Sequence, residues 1–456
     1  WQGSTQSLIS FNHISHIEMN ADKNDQKKLI RTSYSKDISV DFDNKNITVV
    51  GWIVSIRKQG KIYFIMLYDS TGPLQIIIKK GISPDSIFLQ AETLKEHSSI
   101  AIKGTVKKSD KAPKGVELHP EEIVVLSTTN KIPPFSLYGG QLPNIDKRLD
   151  IRAVDLRRPS AQSIMKLRAK TLQSIRNFYI DRDYLEVNTP KIIATATEGG
   201  SALFPMLYYD KEAFLTQSPQ LFKEQLVLPF EKVFEIAYAY RAEKSRTLHH
   251  ISEFISVDME QAFIDYKDVL KIIEDLLLDL KNNLLETSSE HLDLLNSKDW
   301  TGFESIPSIT YDKAIDLIKE SDPKIEWGDD LSTKSMDILS QKYSHFYFVT
   351  DWPSSGKPFY IKCEGDYSES FDLMYGNKEL ASGGTRVDDK DELTTRLQQK
   401  NLNPNGFDFH LRVFDYGMPP HAGYGLGFER LMMTIANQTN IREVSMFPRD
   451  QHRLSP

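Results

Sequence analysis

The stretch FEIAYAYRAE, residues 234–243, decides how the larger part of this chain folds. Its apolar residues alternate as in a β-strand, and after a polar loop a second strand-like run, EFISVDME, follows at residues 253–260. Two such runs joined by a short loop predict an antiparallel hairpin. Arg241 and Glu243 stand two positions apart, so their side chains can point to the same side of the strand and meet one ligand. Because a guanidinium binds carboxylates and phosphates, the hairpin is a candidate anion site.

Two further segments, far away along the chain, belong to the same argument. The first, DRDYLEVNTP at residues 181–190, follows a helical pattern over residues 160–181 and ends in a proline, which is typical of an edge strand. The second, YGLGFERL at residues 424–431, has two glycines that let backbone approach a ligand closely, and it places Arg430 in the first turn of a helix. Either segment alone would be weak evidence.

The order of predicted elements indicates an α+β domain over residues 159–456, built on an antiparallel sheet flanked by helices. Strands and helices do not alternate regularly, which argues against a doubly wound sheet. The stretch from about residue 286 to residue 344 is interpreted as an insertion between core elements. The strand-like runs lie at residues 232–240, 255–263 and 346–350, and the helical patterns at residues 267–285, 312–320, 392–400 and 427–436.

The preceding part of the chain predicts a separate small β-barrel at residues 46–130. Five short strand-like runs are separated by turn signals there, within about 80 residues, a pattern typical of a small barrel. Residues 131–158 contain Pro133, Pro134 and two glycines and are interpreted as a hinge, while polar residues 1–45 are expected to form a loosely ordered extension or short helices. The five runs are 47–56, 62–68, 74–79, 99–106 and 117–126.

The amino-acid composition indicates which class of protein this is. With 40% apolar and 26% charged residues and no long apolar run, the chain is expected to be globular, with no membrane partner. The single cysteine, Cys363, excludes an internal disulfide framework and predicts a reducing, cytoplasmic environment. Net charge is −7, yet residues 1–135 hold 18 basic and 14 acidic residues, a net of +4, which favours phosphate contacts by the barrel.

In this order and spacing, the three segments resemble the motifs of class II aminoacyl-tRNA synthetases. Whole phrases resemble the aspartyl-tRNA synthetase family of archaeal and eukaryotic type, over about residue 47 to the end of the sequence. The phrases are TATEGGS at residues 195–201, QSPQLFK at 217–223, SFDLMY at 370–375, YGMPPHAG at 416–423, MFPRD at 446–450 and RLSP at 453–456.

The resemblance implies a site for L-aspartate. Glu198 would meet the substrate ammonium, and Lys223 and Arg386 would hold the β-carboxylate, with Asp258 positioning Lys223. The two cations would neutralise the buried β-carboxylate of aspartate, whereas a neutral asparagine side chain would leave both cations without a counter-ion. The residues implied in aspartate binding are Glu198, Ser218, Gln220, Lys223, Arg241, Asp258, Ser382 and Arg386.

The resemblance also implies ATP as a substrate and Mg²⁺ as a cofactor. Arg241 and Arg430 would be the catalytic cations, and Asp372, Glu379 and Ser382 would give Mg²⁺ the oxygen ligands it requires. His249 stands where relatives usually have an arginine, and a histidine carries less charge at pH 7. The residues implied in ATP binding are Arg241, Glu243, His249, His250, Phe254, Glu379, Gly427 and Arg430.

The implied reaction joins aspartate to the 3′ end of tRNA(Asp) through an aspartyl-adenylate. The barrel resembles the anticodon-binding OB-fold of the family, where Phe64 would stack on the central anticodon base and Gln75 would contact a base edge. A homodimer is expected from the family.

Three alternatives stay open. One is an asparaginyl-tRNA synthetase, towards which RAEKSRT at residues 241–247 and IEWGDD at residues 325–330 lean. In that family the position of Lys223 is typically apolar, so Lys223 favours aspartate. The second is a relaxed enzyme that also charges tRNA(Asn), and the third is an inactive RNA-binding paralogue, which the intact site residues disfavour.

Overall fold

The computed structural model describes residues 30–194, 202–243 and 246–456. The chain divides into two compact units, one ending at Pro134 and one beginning at Phe135. The predicted extension is described only from residue 30 onward, where two short 3₁₀ turns, Ser35–Asp37 and Val40–Phe42, precede the first strand.

The first unit is a closed five-stranded barrel with strand order β1-β2-β3-β5-β4. Buried and outward-facing side chains alternate along its strands. On β2, Tyr63, Ile65 and Leu67 are buried in the barrel, while Phe64 and Met66 point outward. The five predicted strands are confirmed, and a short helix between β3 and β4, which the sequence analysis missed, covers part of the core. The elements are β1 Asn46–Gln59, β2 Ile62–Asp69, β3 Gly72–Lys79, α1 Asp85–Ala91, β4 Ser99–Lys108 and β5 Val116–Ser127.

The second unit is organised on an eight-stranded sheet with order β12-β13-β16-β17-β18-β11-β10-β6. The predicted antiparallel sheet is correct for its six central strands, but the two outer pairs, β12–β13 and β6–β10, are parallel. Its strands and those of two small sheets are β6 Leu185–Glu186, β7 Ile192–Ile193, β8 Pro205–Tyr208, β9 Lys211–Leu215, β10 Lys232–Tyr240, β11 Glu253–Ala262, β12 Ser308–Thr310, β13 Phe346–Thr350, β14 Cys363–Glu364, β15 Tyr367–Ser368, β16 Ser370–Tyr375, β17 Lys378–Thr385 and β18 His421–Gly427.

Helices cover one face of this sheet. The amphipathic helix α6 begins at a capping box formed by Asp265 and Asp268, and its leucines pack with α4 against the sheet. None of the helices in the described ranges has the length and apolar content that crossing a bilayer requires. The helices are α2 Ile145–Leu149, α3 Arg152–Asp155, α4 Pro159–Ile180, α5 Gln220–Phe230, α6 Tyr266–Thr287, α7 Ser289–Leu294, α8 Tyr311–Lys319, α9 Thr333–Lys342, α10 Lys390–Gln399, α11 Asp408–Leu411 and α12 Phe428–Ile435.

Alternation along β11 decides where a site can form. Val257 and Met259 are fully buried in the core beneath α4 and α6. Ser256, Asp258 and Glu260 therefore point to the opposite face of the sheet. Polar side chains gather on that face.

Candidate active site

A cavity of about 310 Å³ lies on the polar face of the sheet, where β10, β11, β17, β18 and the start of α12 meet. It brings together segments that are up to about 200 residues apart in sequence. The predicted site residues that line it are Ser218, Gln220, Arg241, Glu243, His249, His250, Phe254, Asp258, Glu379, Ser382, Arg386, Gly427 and Arg430. Lys223 and Asp372 do not line it, and Glu198 lies outside the described residues.

A buried ion cluster forms the floor of the cavity. Lys223 Nζ donates to Asp258 Oδ1 at 3.0 Å and to the carbonyl of Tyr424 at 2.9 Å, and it lies 3.4 Å from Glu260 Oε2. Arg386 donates to both carboxylate oxygens of Glu260, at 2.8 and 3.1 Å. The two predicted cations thus share one carboxylate, so they belong to one site. Lys223 does not line the cavity, whereas Asp258 does, so Lys223 contacts the cavity only through its hydrogen bond to Asp258.

Glu260 is a site residue that the sequence analysis missed. Its carboxylate is fully buried, and its pairing with Arg386 leaves Nη1 as the guanidinium nitrogen without a hydrogen bond within the protein. The signal was present in the sequence, because Ser256, Asp258 and Glu260 alternate along one strand. Paired in this way, Arg386 is held with one edge towards Glu260, and among the described residues no hydrogen-bond acceptor is bound to its other edge.

Glycines on β18 make room for this cluster. Gly423 pairs with Glu260 in register, and a Cβ on it would lie 2.3 Å from Glu260 Oε2 and 2.2 Å from the carbonyl of Met259. Gly425 pairs with Asp258, whose carboxylate would lie 3.1 Å from such an added atom. The glycines were predicted to admit a ligand. The two glycines of that prediction, Gly425 and Gly427, both line the cavity, and at Gly425 the nearest atom to an added Cβ is a carboxylate oxygen of Asp258.

A second buried group lies behind Gln220. Gln220 Nε2 donates to Glu224 Oε1 at 2.6 Å, and the other oxygen of Glu224 lies 3.2 Å from His410 Nε2 and 4.0 Å from His421 Nε2. Burial would raise the pKa of Glu224, but the two histidines hold it far below its usual value. Burial would lower the pKa of His421, but Glu224 and Glu260 raise it. This carboxylate with its two histidines was also not anticipated from the sequence.

Arg430 is fixed at the other end of the cavity. As predicted, it lies in the first turn of α12, where Nη1 donates to the carbonyl of Glu379 at 2.9 Å and Nη2 lies 3.0 Å from His250 Nε2. Burial and the charge of Arg430 lower the pKa of His250, so the neutral ring accepts from Arg430 through Nε2. The guanidinium is thereby held in place before any nucleotide binds.

The aromatic ring of Phe254 lies near Arg241, whose guanidinium carbon is 5.6 Å from the ring centroid. Arg241 and Glu243 follow the end of β10 and line the same cavity, as their spacing predicts. Arg430 lines the same cavity, which therefore offers an aromatic surface and two guanidinium groups. Such an arrangement fits a flat base carrying phosphates.

Two carboxylates and a hydroxyl lie together on β16 and β17. Asp372 is the cross-strand partner of Ser382, and Lys357 Nζ lies 3.3 Å from Asp372 Oδ2. Burial and the negative charge of Asp372 raise the pKa of Glu379, which indicates two carboxylates close enough to repel each other. No cluster of three or more histidine, cysteine or acidic side chains suited to a metal occurs in the described part of the chain. The pair therefore fits a cation whose remaining ligands come from a substrate or water.

On the barrel, Phe64 and Gln75 lie on neighbouring strands and face outward. Phe64 on β2 pairs with Ile77 on β3, and Met66, two residues further along β2, pairs with Gln75. Both side chains are partly exposed, and Phe64 is not part of the buried barrel core. Gln75 Nε2 makes a long hydrogen bond of 3.4 Å to Glu117. An outward aromatic beside an amide is suited to an unpaired base.

The sequence matches the family model of class II tRNA synthetases (D, K and N) over residues 144–451. The chain belongs to this family. A second model, the OB-fold nucleic acid binding domain, matches residues 47–126. The predicted architecture, an OB-fold followed by a class II catalytic domain, is therefore confirmed. This synthetase is an ATP-dependent aminoacyl-tRNA ligase.

Its relatives cover nearly the full length of the chain. An aspartate–tRNA(Asp/Asn) ligase of Methanocaldococcus jannaschii is 41% identical over 430 residues, covering 93% of this chain and 98% of that protein. An aspartate–tRNA(Asp) ligase of Pyrobaculum aerophilum is 39% identical over 427 residues, 93% of this chain and 99% of that one. The crystal structure of asparaginyl-tRNA synthetase from Pyrococcus horikoshii with asparaginyl-adenylate superposes with a TM-score of 0.90, at 31% identity and covering 94% and 100% of the two chains.

Proposed function

We propose that this synthetase activates L-aspartate with ATP and transfers the aspartyl group to the 3′ end of tRNA(Asp). The observation that carries the proposal is the Lys223–Glu260–Arg386 arrangement at the floor of the cavity. Arg386 offers Nη1 to a ligand, and Lys223 adds positive charge behind Asp258. A side-chain carboxylate accepts a charge-assisted hydrogen bond there, whereas an amide NH₂ group would face like donors.

The shape of the fold supports a synthetase of this group without choosing the amino acid, because a structural relative binds asparaginyl-adenylate. The choice comes from the hydrogen-bond donors of Arg386 that face the ligand. Names of full-length relatives, which act with aspartate, point the same way.

In the proposed first step, an α-carboxylate oxygen of aspartate attacks the α-phosphorus of ATP. A P–O bond forms, the bond to pyrophosphate breaks, and aspartyl-adenylate results. Arg241 binds the α-carboxylate and the α-phosphate, Phe254 stacks with the adenine, and Arg430 contacts the terminal phosphates. Positioning and charge stabilisation supply the catalysis, and no protein nucleophile takes part.

Glu198 is proposed to meet the substrate ammonium, together with Ser218 and Gln220. Asp372, Glu379 and Ser382 would hold Mg²⁺, which would neutralise phosphate charge. In the second step the 3′-hydroxyl oxygen of the tRNA attacks the aspartyl carbonyl carbon, the bond to AMP breaks, and the hydroxyl proton is released. Phe64 and Gln75 are proposed to read the anticodon.

A relaxed tRNA specificity is the second candidate, because the Methanocaldococcus relative is named for both tRNA(Asp) and tRNA(Asn). Charging of purified tRNA(Asp) and tRNA(Asn) with labelled aspartate and labelled asparagine tests both proposals. We expect aspartate to be attached to tRNA(Asp). Aspartate on both tRNAs would establish the relaxed enzyme, and attachment of asparagine alone would overturn the assignment.

We also propose a homodimer and a cytosolic location. Ile180 at the end of α4, Leu185 on the edge strand β6, and Ile192 on β7 are apolar side chains that are each about half exposed. An exposed edge strand with apolar neighbours favours coverage by another chain. Light scattering should give twice the monomer mass, and Leu185→Asp should give the monomer.

A further inference from the structure

A second cavity, of about 340 Å³, adjoins the active-site cavity. His249 lines both. The second cavity is bounded by the turn between β16 and β17, by the middle of α12 and by residues around Trp300. Thr434, on its wall, lies one turn beyond Arg430 and donates to the Arg430 carbonyl at 3.4 Å. The cavity is therefore next to the end of the active site where Arg430 is fixed.

Among the residues that the structure describes, Lys378 is the only lysine or arginine that lines this second cavity. It is half-buried, immediately precedes Glu379 on β17, and lies 5.6 Å from the centroid of the Tyr375 ring. The one carboxylate on the cavity wall, Asp299, makes no ion pair with it, and neither does any other acidic residue in the described ranges. A partly buried ammonium without a counter-ion favours an anionic ligand.

His249 cannot supply the charge that is needed at this point. Burial, together with the charges of Lys378 and Arg430, lowers its pKa, so the ring is neutral at pH 7. Resemblance to the family placed an arginine at this position. Lys378 lies on β17 and His249 lies in the loop between β10 and β11, and both line the second cavity.

We propose that Lys378 and His249 form a subsite for the terminal phosphates of ATP and for pyrophosphate, in which Lys378 supplies the positive charge that His249 does not. The inference rests on the proposed function for its setting, because it extends the ATP site described above. Lys378 donates to a phosphate oxygen as a point charge, while neutral His249 contributes one ring N–H.

The test compares ATP, pyrophosphate and AMP binding to the full chain by isothermal titration calorimetry, with Mg²⁺ and without aspartate. In Lys378→Met we expect the affinities for ATP and for pyrophosphate to fall on the order of tenfold, the effect of one hydrogen bond to a charged group. AMP, which lacks the terminal phosphates, should bind within twofold of wild type. The matched control is Lys267→Met, which removes a lysine that also lies over a tyrosine ring, 5.8 Å from the Tyr266 centroid, outside the site.

A rescue variant separates a phosphate contact from a structural effect. Lys378→Met combined with His249→Arg should recover most of the lost ATP affinity, because the cation returns from the other wall. Equal losses for ATP and AMP would mean that Lys378 only supports the turn, and unchanged ATP affinity would mean that it makes no contact. Either result overturns the proposal. Because binding is measured without aspartate, failure of the amino-acid assignment would appear separately, as wild-type protein that binds ATP but does not charge aspartate.

Discussion

At the residue scale, we expect Lys223 to be required for the use of aspartate but not for folding. Its Nζ holds Asp258 at 3.0 Å, yet Asp258 also accepts from Ser256 Oγ at 2.6 Å, and Glu260 keeps Arg386. We expect Lys223→Leu to remain folded but to lose aspartate-dependent pyrophosphate exchange by about 30- to 5,000-fold, since truncating one partner of a buried charge pair typically costs about 2–5 kcal/mol. ATP affinity should be unchanged.

Exchange assays and calorimetry check this expectation. Lys334→Leu, which removes an exposed ion pair of 2.7 Å with Asp322, is the control for loss of a lysine. If the Lys223 variant exchanged pyrophosphate at nearly the wild-type rate, the amino-acid assignment would lose its support.

His421 gives a second prediction at this scale, on pH. Its pKa in the folded protein is raised above the usual value, so its protonated form stabilises the fold fully below about pH 6.5. That contribution is lost as the pH rises through the pKa of His421 in the folded protein. The total loss is about 1.4 kcal/mol for each unit by which the pKa in the folded protein exceeds the pKa in the unfolded chain. Wild type should therefore lose more stability between pH 6 and pH 8.5 than His421→Gln. Denaturant unfolding at the two pH values measures the difference, and equal losses would contradict the ion pair with Glu224.

At the scale of elements, the pairing of β11 with β18 depends on Gly423. A side chain there would overlap both the Met259 carbonyl and the Glu260 carboxylate. We expect Gly423→Ala to destabilise the protein by about 1–3 kcal/mol and to lower aspartate affinity, because Arg386 loses its fixed partner. Gly356→Ala is the matched control, since no atom lies within 4 Å of the added carbon and φ there is not positive. Thermal unfolding measures the loss of stability, and the KM for aspartate measures the loss of affinity. Wild-type values for both in Gly423→Ala would be inconsistent with the packing described.

The same strands show how far sequence reasoning reaches. Alternation predicted the hairpin, and the position of Arg430 in a helix followed from the Gly-x-Gly segment, because both signals are local. Glu260 and Glu224 were missed, since their importance depends on register with Gly423 and on contact with His410, which only the fold brings close. The parallel outer pairs of the sheet were missed for the same reason, because each is formed by strands distant in sequence.

At the scale of the whole molecule, the backbone is common to the family, and the proposed choice of substrate depends on a few buried side chains. A TM-score of 0.90 to an asparaginyl-tRNA synthetase shows that the fold alone does not choose between the two amino acids. The choice rests on a few buried groups: Lys223, Arg386, Asp258 and Glu260 together carry no net charge. A carboxylate ligand therefore binds through the direction of the donors rather than through an excess of positive charge.

The proposed function assigns tRNA recognition to the first unit and adenylate formation to the second, and Phe64 tests that division. In the first unit Phe64 presents an outward ring, while every group proposed for adenylate formation lies in the second unit. We expect Phe64→Ala to lower kcat/KM for tRNA(Asp) charging by about 5- to 150-fold, the range of about 1–3 kcal/mol for one stacked base. Aspartate-dependent pyrophosphate exchange without tRNA should stay at the wild-type rate. Leu89→Ala, at an exposed apolar side chain of α1, is the control. A parallel fall in exchange would show that Phe64 acts through the fold, and unchanged charging would remove it from the anticodon site.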